Sequence, residues 1–126
     1  AVNSLKWSTK ASNITTYKYF KGLIALRKAH PAFRMTTEAQ VIKNVKFYTL
    51  PNDIIMYSLA GKAVGDKVAS FVVIHNPNAN AQVIKLPKAG KWSVVVAGDQ
   101  AGTKSISSST LSSISVAGQS TTVLQQ

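Results

Sequence analysis

The apolar residues of this chain change their spacing once, near Thr36, and this change limits the folds that the chain can adopt. Before it, residues 17–29 carry apolar side chains at the three- and four-residue spacing of an amphipathic helix. After it, short apolar runs, either alternating or continuous, are separated by Asn, Gly and Pro. The pattern predicts one helix followed by many short strands.

The helix is predicted from Tyr17 to Ala29, a run that contains no Pro and one Gly. Pro31 disfavours the helical conformation at His30, so the helix should end there. The residues that can cap its start are Ser12, Thr15 and Thr16. Its apolar side chains cover about half the circumference, which indicates burial against more than one neighbour. This apolar arc consists of Tyr17, Tyr19, Phe20, Leu23, Ile24 and Leu26.

Arg27 falls near the middle of that apolar arc. An unpaired charge in such a place is costly, so we expect a carboxylate or carbonyl partner. That partner could belong to a part of the protein outside this sequence. The alternative is that the side chain reaches along the arc to water.

The region after Thr36 predicts a mainly β fold, an antiparallel β-sandwich of seven or eight strands preceded by one amphipathic helix. Pro51–Asp53 is a turn signal that joins the first two strands as a hairpin. Residues 105–113 are rich in Ser and form either an edge strand or a loop, and residues 1–10 form an extended lead-in. The predicted strands are 41–50, 54–59, 68–74 (central), 82–86, 92–97, 113–116 and 121–124.

The charge balance raises the question of a nucleic-acid partner, because 15 basic residues face 4 acidic ones and give a net charge of +11. However, 13 of the 15 are Lys, spaced singly along the chain, and only Arg27 and Arg34 offer the planar group that reads bases. We therefore expect a solvated surface and no nucleic-acid partner. No apolar run approaches the ~20 residues of a membrane span, so no span is predicted either.

The chemistry-bearing residues do not form a recognisable active site. Glycoside hydrolysis needs a pair of carboxylates, but Asp53, Asp66 and Asp99 lie in turn signals and Glu38 precedes a predicted strand. The chain has no Cys and its two His residues are far apart in sequence, so we expect no metal and no cofactor. His30 is interpreted as a residue at the helix end and His75 as one at a strand end.

Exposed aromatic residues could instead form a platform for sugar rings. Trp92 alternates in phase with Val94 and Val96, which favours a core position. Tyr48 lies on a mixed face, and Tyr57 is a further candidate. Trp7 lies outside both patterned regions, and it either anchors the lead-in or borders a site.

The run FKGLIALRKAHPAFRMTT, residues 20–37, resembles the last barrel helix and exit of type I pullulanases. These are α-1,6-debranching members of the α-amylase superfamily, glycoside hydrolase family thirteen. The resemblance covers nearly the whole chain, with one departure at Ala117-Gly118, where many relatives have a Pro-containing turn. It continues in VNSLKW at residues 2–7, VVIHNPN at 72–78, KWSVVVAGDQAGT at 91–103 and ISVAGQSTTVLQ at 114–125.

The resemblance implies that residues 1–35 are the lead-in and last helix of a catalytic (β/α)-barrel, and residues 36–126 a C-terminal β-sandwich domain. The family's catalytic carboxylates lie upstream, so no residue here is implied to be catalytic. Asn3 and Trp7 would lie near the sugar-binding cleft. The partner would be the barrel of the same enzyme, as another chain or a missing segment. The residues that would face it are Tyr17, Phe20, Leu23, Ile24 and Arg27.

Two functional hypotheses follow. In the first, the chain is a non-catalytic C-terminal portion that stabilises the barrel of an enzyme cleaving α-1,6 linkages in pullulan, starch or glycogen. In the second, it is a free-standing β-sandwich module that binds carbohydrate or cell-wall polymers. The helix discriminates between them, because a free module needs cover for its apolar side chains, unless the helix folds back on its own sandwich. The resemblance also points to a bacterial enzyme of a kind often exported, although this segment carries no targeting signal.

Overall fold

The computed structural model describes residue 4 and residues 6–126. Its first part is helical, with α1 (Thr9–Ser12), α2 (Ile14–Ala29), a 3-10 turn (Pro31–Phe33) and α3 (Glu38–Asn44). A second 3-10 turn spans Lys62–Val64. The strands are β1 (Val45–Tyr48), β2 (Ile55–Ala60), β3 (Ser70–Asn76), β4 (Gln82–Ala97), β5 (Gln100–Ala101), β6 (Ser107–Val116) and β7 (Ser120–Gln125). The predicted fold class, a mainly antiparallel β-sandwich preceded by an amphipathic helix, is confirmed.

The strands are joined in the order β1-β2-β3-β7-β4-β5, with β6 paired to β4, and every pairing is antiparallel. β3 lies between β2 and β7, and its residues Phe71 to Ile74 are buried. The continuous apolar run therefore forms a central strand, as predicted. The Ser-rich segment is a strand, β6, and in the described residues it pairs with β4 alone, which supports the edge-strand alternative.

Two apolar clusters hold the fold together. The first fills the sandwich and joins side chains of β2, β3 and β7 with those of β4 and β6. Its members include Met56, Ile74, Trp92, Val116 and Leu124. The second lies on the opposite face of the sheet, between the sheet and α2. The clusters alternate along β3, since Val72 and Ile74 belong to the first while Phe71 and Val73 belong to the second.

The start of the chain differs from the prediction. Residues 9–10 belong to the short helix α1, so the lead-in is not extended there. α2 begins at Ile14, before the predicted Tyr17, and its N-cap residue Asn13 makes no side-chain cap hydrogen bond. None of the three predicted caps is used, because α1 immediately precedes α2 and fixes its entry. The predicted end is confirmed, since His30 is extended before Pro31.

Residues 38–44 form a helix, although residues 41–50 were predicted to be a strand, so that β1 is limited to Val45–Tyr48. The reason is a pair of hydrogen bonds at the helix start. The backbone N–H of Gln40 donates to Thr37 Oγ1 at 3.3 Å, and the N–H of Thr36 donates to Gln40 Oε1 at 3.1 Å. These two side chains satisfy the backbone N–H groups of Thr36 and Gln40 at the helix start, and the weak alternation of residues 41–50 does not outweigh them.

The predicted strands 82–86 and 92–97 are one strand, β4, so the turn predicted between them is wrong. The Pro and Gly residues of that segment are absorbed by a shift in the pairing register between Lys85 and Gly90. The predicted hairpin turn is confirmed. Asn52 and Asp53 both adopt left-handed backbone angles, which these two residue types tolerate, and β1 pairs with β2 on either side of them.

Candidate functional site

Helix α2 packs one face on its own sandwich. Leu26 is buried, and Tyr19 and Leu23 are half-buried against the cluster that contains Phe71 and Val123. The sequence left two arrangements open for the helix, and the structure shows that it folds back onto the sheet.

The helix backbone approaches β5 closely at Gly22. A Cβ atom built on Gly22 would collide with the carbonyl oxygen of Ala101. Glycine is therefore the residue that permits this approach, even though it is a weak helix former. The close contact fixes the position of α2 on the sheet.

A second face of α2 is apolar and exposed. Tyr17, Phe20 and Ile24 are 41%, 60% and 56% exposed and follow one another at helical spacing. Within the described residues, Lys10 of α1 contacts the Tyr17 ring, and no other element covers Phe20 or Ile24. We call this surface the outer face of α2. The width of the apolar arc thus results from two apolar faces on one helix.

Arg27 lies at the border between the packed and the outer face. Its Nη1 donates to the carbonyl oxygen of Phe33 at 2.6 Å, so its partner is a carbonyl, one of the two predicted kinds. Arg34 makes the reverse connection, donating from Nη2 to the carbonyl oxygen of Lys28 at 3.2 Å. The two guanidinium groups tie the last turn of α2 to the segment after it.

The end of α2 is joined to the sandwich by a buried polar pair. His30 Nδ1 lies 2.9 Å from Asp66 Oδ1, and both residues are buried. Asp66 also accepts hydrogen bonds from the backbone N–H groups of Ala32, at 3.3 Å, and Val68, at 3.0 Å. Burial alone would raise the pKa of Asp66, but these hydrogen bonds and the charge of His30 together hold that pKa below its ordinary value.

This pair was not found from the sequence. Asp66 was interpreted as a turn residue and His30 as a helix-end residue, and both descriptions hold locally. The two residues are 36 positions apart, so no local pattern connects them. The turn signal at Gly65-Asp66 was the one available hint, since a turn places the carboxylate near backbone N–H groups.

A groove of about 600 Å³ lies between the lead-in and the start of α2. Trp7 borders it and is 79% exposed. Lys10 places its Nζ 4.2 Å from the ring centroid of Tyr17, on the same groove. Aromatic faces beside polar side chains suit sugar rings, and the role of Trp7 stays a prediction. Asn3, its predicted companion, lies outside the described residues.

Two other aromatic candidates, Trp92 and Tyr48, are less exposed than Trp7. Trp92 is buried in the sandwich core and its Nε1 donates to the carbonyl oxygen of Lys88 at 3.1 Å, so the predicted core position is confirmed. Tyr48 is half-buried, with its hydroxyl 3.1 Å from Ser58 Oγ. Neither ring offers an open face as broad as that of Trp7.

The acidic residues lie on different elements. Glu38 begins α3, Asp53 lies in the turn before β2, and Asp99 lies between β4 and β5. All three are exposed, while Asp66 is engaged in the pair with His30. The described part of the chain contains no cluster of His, Cys or acidic residues suited to a metal ion. Nor does any described helix have the length and apolarity needed to cross a bilayer.

Comparisons with known proteins match both the sandwich and the helix. Residues 41–100 match the family model described as the pullulanase all-beta domain. The curated pullulanase of Bacillus subtilis (strain 168) is 31% identical over 87 residues, which cover 69% of this chain and 12% of that protein.

Solved structures extend the match to nearly the full chain. Pullulanase from Bacillus acidopullulyticus superposes with a TM-score of 0.91 at 38% identity, covering 99% of this chain and 15% of that one. Pullulanase from Anoxybacillus sp. LM18-11, solved in complex with maltotriose, gives a TM-score of 0.83 at 29% identity, covering 99% of this chain and 17% of that one. The chain therefore spans a small part of its relatives. On this evidence of sequence and fold, the chain is related to the pullulanases and contains the pullulanase all-beta domain.

Proposed function

We propose that this chain is the C-terminal portion of a pullulanase-like glycoside hydrolase that cleaves α-1,6 linkages in pullulan, starch or glycogen. Residues 36–126 are its β-sandwich domain, and residues 1–35 are the lead-in and last helix of its catalytic (β/α)-barrel. The observation that carries the proposal is the double-faced helix α2. One face packs on the sandwich, while the outer face leaves Tyr17, Phe20 and Ile24 exposed in the described chain.

The sandwich acts by holding this helix against the barrel. Burying a large apolar side chain stabilises a fold by about 1.5–3 kcal/mol. Three such side chains on the outer face could therefore contribute several kcal/mol to the barrel that covers them. Leu23, which the resemblance places at the same interface, already packs on the sandwich, and Arg27 stands between the two contacts.

The chain itself does not perform the cleavage. Glycoside hydrolysis needs two carboxylates on either side of the scissile bond, about 5–10 Å apart. Asp66 is held by its hydrogen bonds, and the remaining acids lie on separate exposed segments. The catalytic pair belongs to the barrel, and Trp7, with Asn3, borders the sugar-binding cleft of that barrel.

The test compares one substitution in two contexts: this chain alone, and the longer polypeptide that includes the barrel. We expect Phe20→Ser to leave the unfolding temperature of this chain nearly unchanged, because the side chain is exposed. In the longer polypeptide the same change should lower that temperature by several degrees and reduce pullulan hydrolysis. Val83→Ser is the matched control, since Val83 is 75% exposed on β4 and should have no effect in either context. Equal effects of Phe20→Ser in both contexts would contradict the proposal.

The second candidate is a free-standing carbohydrate-binding module. The observation that favours it is that α2 already packs on the sandwich, which lets the chain fold without a barrel. Native and denaturing mass measurements on the protein from its natural source distinguish the two. A lone 13.5 kDa species supports the module, and a larger polypeptide, or a second chain held with this one, supports the hydrolase.

A further inference from the structure

The sheet face under α2 continues beyond the helix as an open groove. Two adjoining cavities, of about 280 and 520 Å³, share the side chains of Tyr19, His75 and Thr121. The smaller cavity reaches Tyr57 on β2, and the larger one reaches Gln119, just before β7. No residue of the outer face of α2 or of the groove at Trp7 lines these cavities, although Leu23 and Arg27 line the smaller one. The proposed function therefore gives the rest of this groove no role.

A row of three rings runs across the same face of the sheet. Phe47 and Tyr57 are cross-strand partners of β1 and β2, with ring centroids 5.3 Å apart and ring planes tilted by 40°. Tyr57 and His75 follow at 6.0 Å and 36°. Phe47 is 68% exposed, while the other two rings are half-buried. Three paired strands hold the rings, so the row is rigid.

The polar groups beside the row are neutral. His75 Nδ1 lies 2.8 Å from Thr121 Oγ1, and this is the ring's one side-chain hydrogen bond in the described residues, which leaves Nε2 for a ligand. Burial lowers the pKa of His75, so the ring is uncharged at neutral pH. Burial raises the pKa of Tyr57, so its phenol keeps its proton. These side chains offer uncharged donors and acceptors.

The lining also disfavours a cationic ligand. Arg27 is the one permanently charged side chain that lines the two cavities, and its Nη1 is bonded to the carbonyl oxygen of Phe33. Neither cavity is lined by an Asp or Glu. A cation would therefore find no counter-charge here, and the one positive charge, that of Arg27, lines only the smaller cavity. A neutral ligand with apolar faces and hydroxyl edges fits this combination.

We propose that this groove, lined by Tyr19, Tyr57, His75 and Thr121, together with the adjoining ring of Phe47, binds a short stretch of a neutral pyranose oligosaccharide. The C–H faces of the sugar rings lie on Phe47 and Tyr57. Its hydroxyl groups bond to His75 Nε2 and to the tyrosine hydroxyls, in the manner of sites that are mostly apolar with a few polar groups. This site is separate from any cleavage site, so it would retain a glucan chain without acting on it.

The test is a titration of this 126-residue chain with maltohexaose, followed by amide and aromatic NMR shifts. We expect saturable shifts at residues of β2, β3 and β7, with a Kd of about 1 mM. Phe47→Ala and Tyr57→Ala should each weaken binding about tenfold, a loss of about 1.4 kcal/mol. Because Phe47 is largely exposed, its variant keeps the fold even if the Tyr57 variant does not.

Val83→Ala is the matched control, because it removes an exposed apolar side chain that lines neither this groove nor the groove at Trp7 and should leave the affinity unchanged. The proposal is overturned if about 10 mM maltohexaose causes no shift. It is also overturned if Trp7→Ala abolishes binding while Phe47→Ala does not. Either failure leaves the proposed function untouched, because that function is tested on the outer face of α2 and by pullulan hydrolysis in the longer polypeptide.

Discussion

His30 Nδ1 lies 2.9 Å from Asp66 Oδ1, and this contact joins the end of helix α2 to the loop that precedes β3. The same carboxylate receives the N–H groups of Ala32 and Val68, so three parts of the chain meet on one side chain. The His30 ring also packs edge-on against Phe71, with centroids 4.9 Å apart. The polar pair is thus part of the apolar contact between helix and sheet.

We expect Asp66→Asn to destabilise the chain by about 1–3 kcal/mol, because it leaves buried donors with a poorer acceptor. Urea unfolding followed by tryptophan fluorescence measures the change. Asp99→Asn is the control, since Asp99 is exposed and should change stability by less than about 0.5 kcal/mol. A loss as small as the control's would show that the pair does not stabilise the fold.

The pair also predicts an acid-dependent loss of stability. The pKa of Asp66 is lower in the folded chain than in the unfolded one, so the unfolded chain binds more protons between the two values. The contribution of Asp66 is therefore complete above its ordinary pKa of 3.8 and is lost as the pH falls through the lower, folded value. Unfolding free energies measured in this acid range should depend less on pH in Asp66→Asn than in the parent chain. Identical pH profiles would contradict the assignment.

Gly22→Ala tests the contact between α2 and β5, because the change in the free energy of unfolding should have the opposite sign if that contact is absent. In an exposed helix position this change stabilises by about 1 kcal/mol. Here we expect it to destabilise by about 1–3 kcal/mol, because the new methyl group meets the carbonyl of Ala101. Gly102→Ala is the control, since open space surrounds that position and little change is expected. A stabilising Gly22→Ala would mean that α2 does not lie against β5.

Arg27→Ala should lower the free energy of unfolding by different amounts in this chain and in the longer polypeptide that includes the barrel. In this chain Arg27 is exposed, so losing its hydrogen bond to Phe33 should cost about 1 kcal/mol or less. In the longer polypeptide we expect a loss above about 2 kcal/mol, because the barrel would bury that bond and strand its carbonyl. Chemical unfolding of both proteins measures the difference. An equally small effect in each would show that Arg27 remains in water.

The sequence predicted the elements whose signals are local and strong. Pro31 marked the end of α2, the continuous apolar run marked the central strand β3, and the phase of Trp92 placed it in the core. α3 was missed because the capping bonds between Thr37 and Gln40 outweigh the weak alternation that follows.

The candidate site was less accessible to sequence reasoning. The apolar arc of α2 was evident, but its division into a packed and an outer face depends on where the sheet lies. The ring row was also hidden, since Phe47, Tyr57 and His75 are brought together by strand register and not by any pattern within one strand. Such pairings depend on the whole fold.

The central claim, that a barrel covers the outer face of α2, is tested most directly by thiol labelling. The chain contains no Cys, so Ile24→Cys introduces a single reactive thiol on that face, and Val83→Cys introduces one on exposed β4 as a reference. Labelling rates at each position are read by peptide mass mapping, in this chain and in the longer polypeptide. We predict rapid labelling at both positions in this chain, and strong protection of position 24 alone in the longer polypeptide. Equal labelling of position 24 in both proteins would contradict the account.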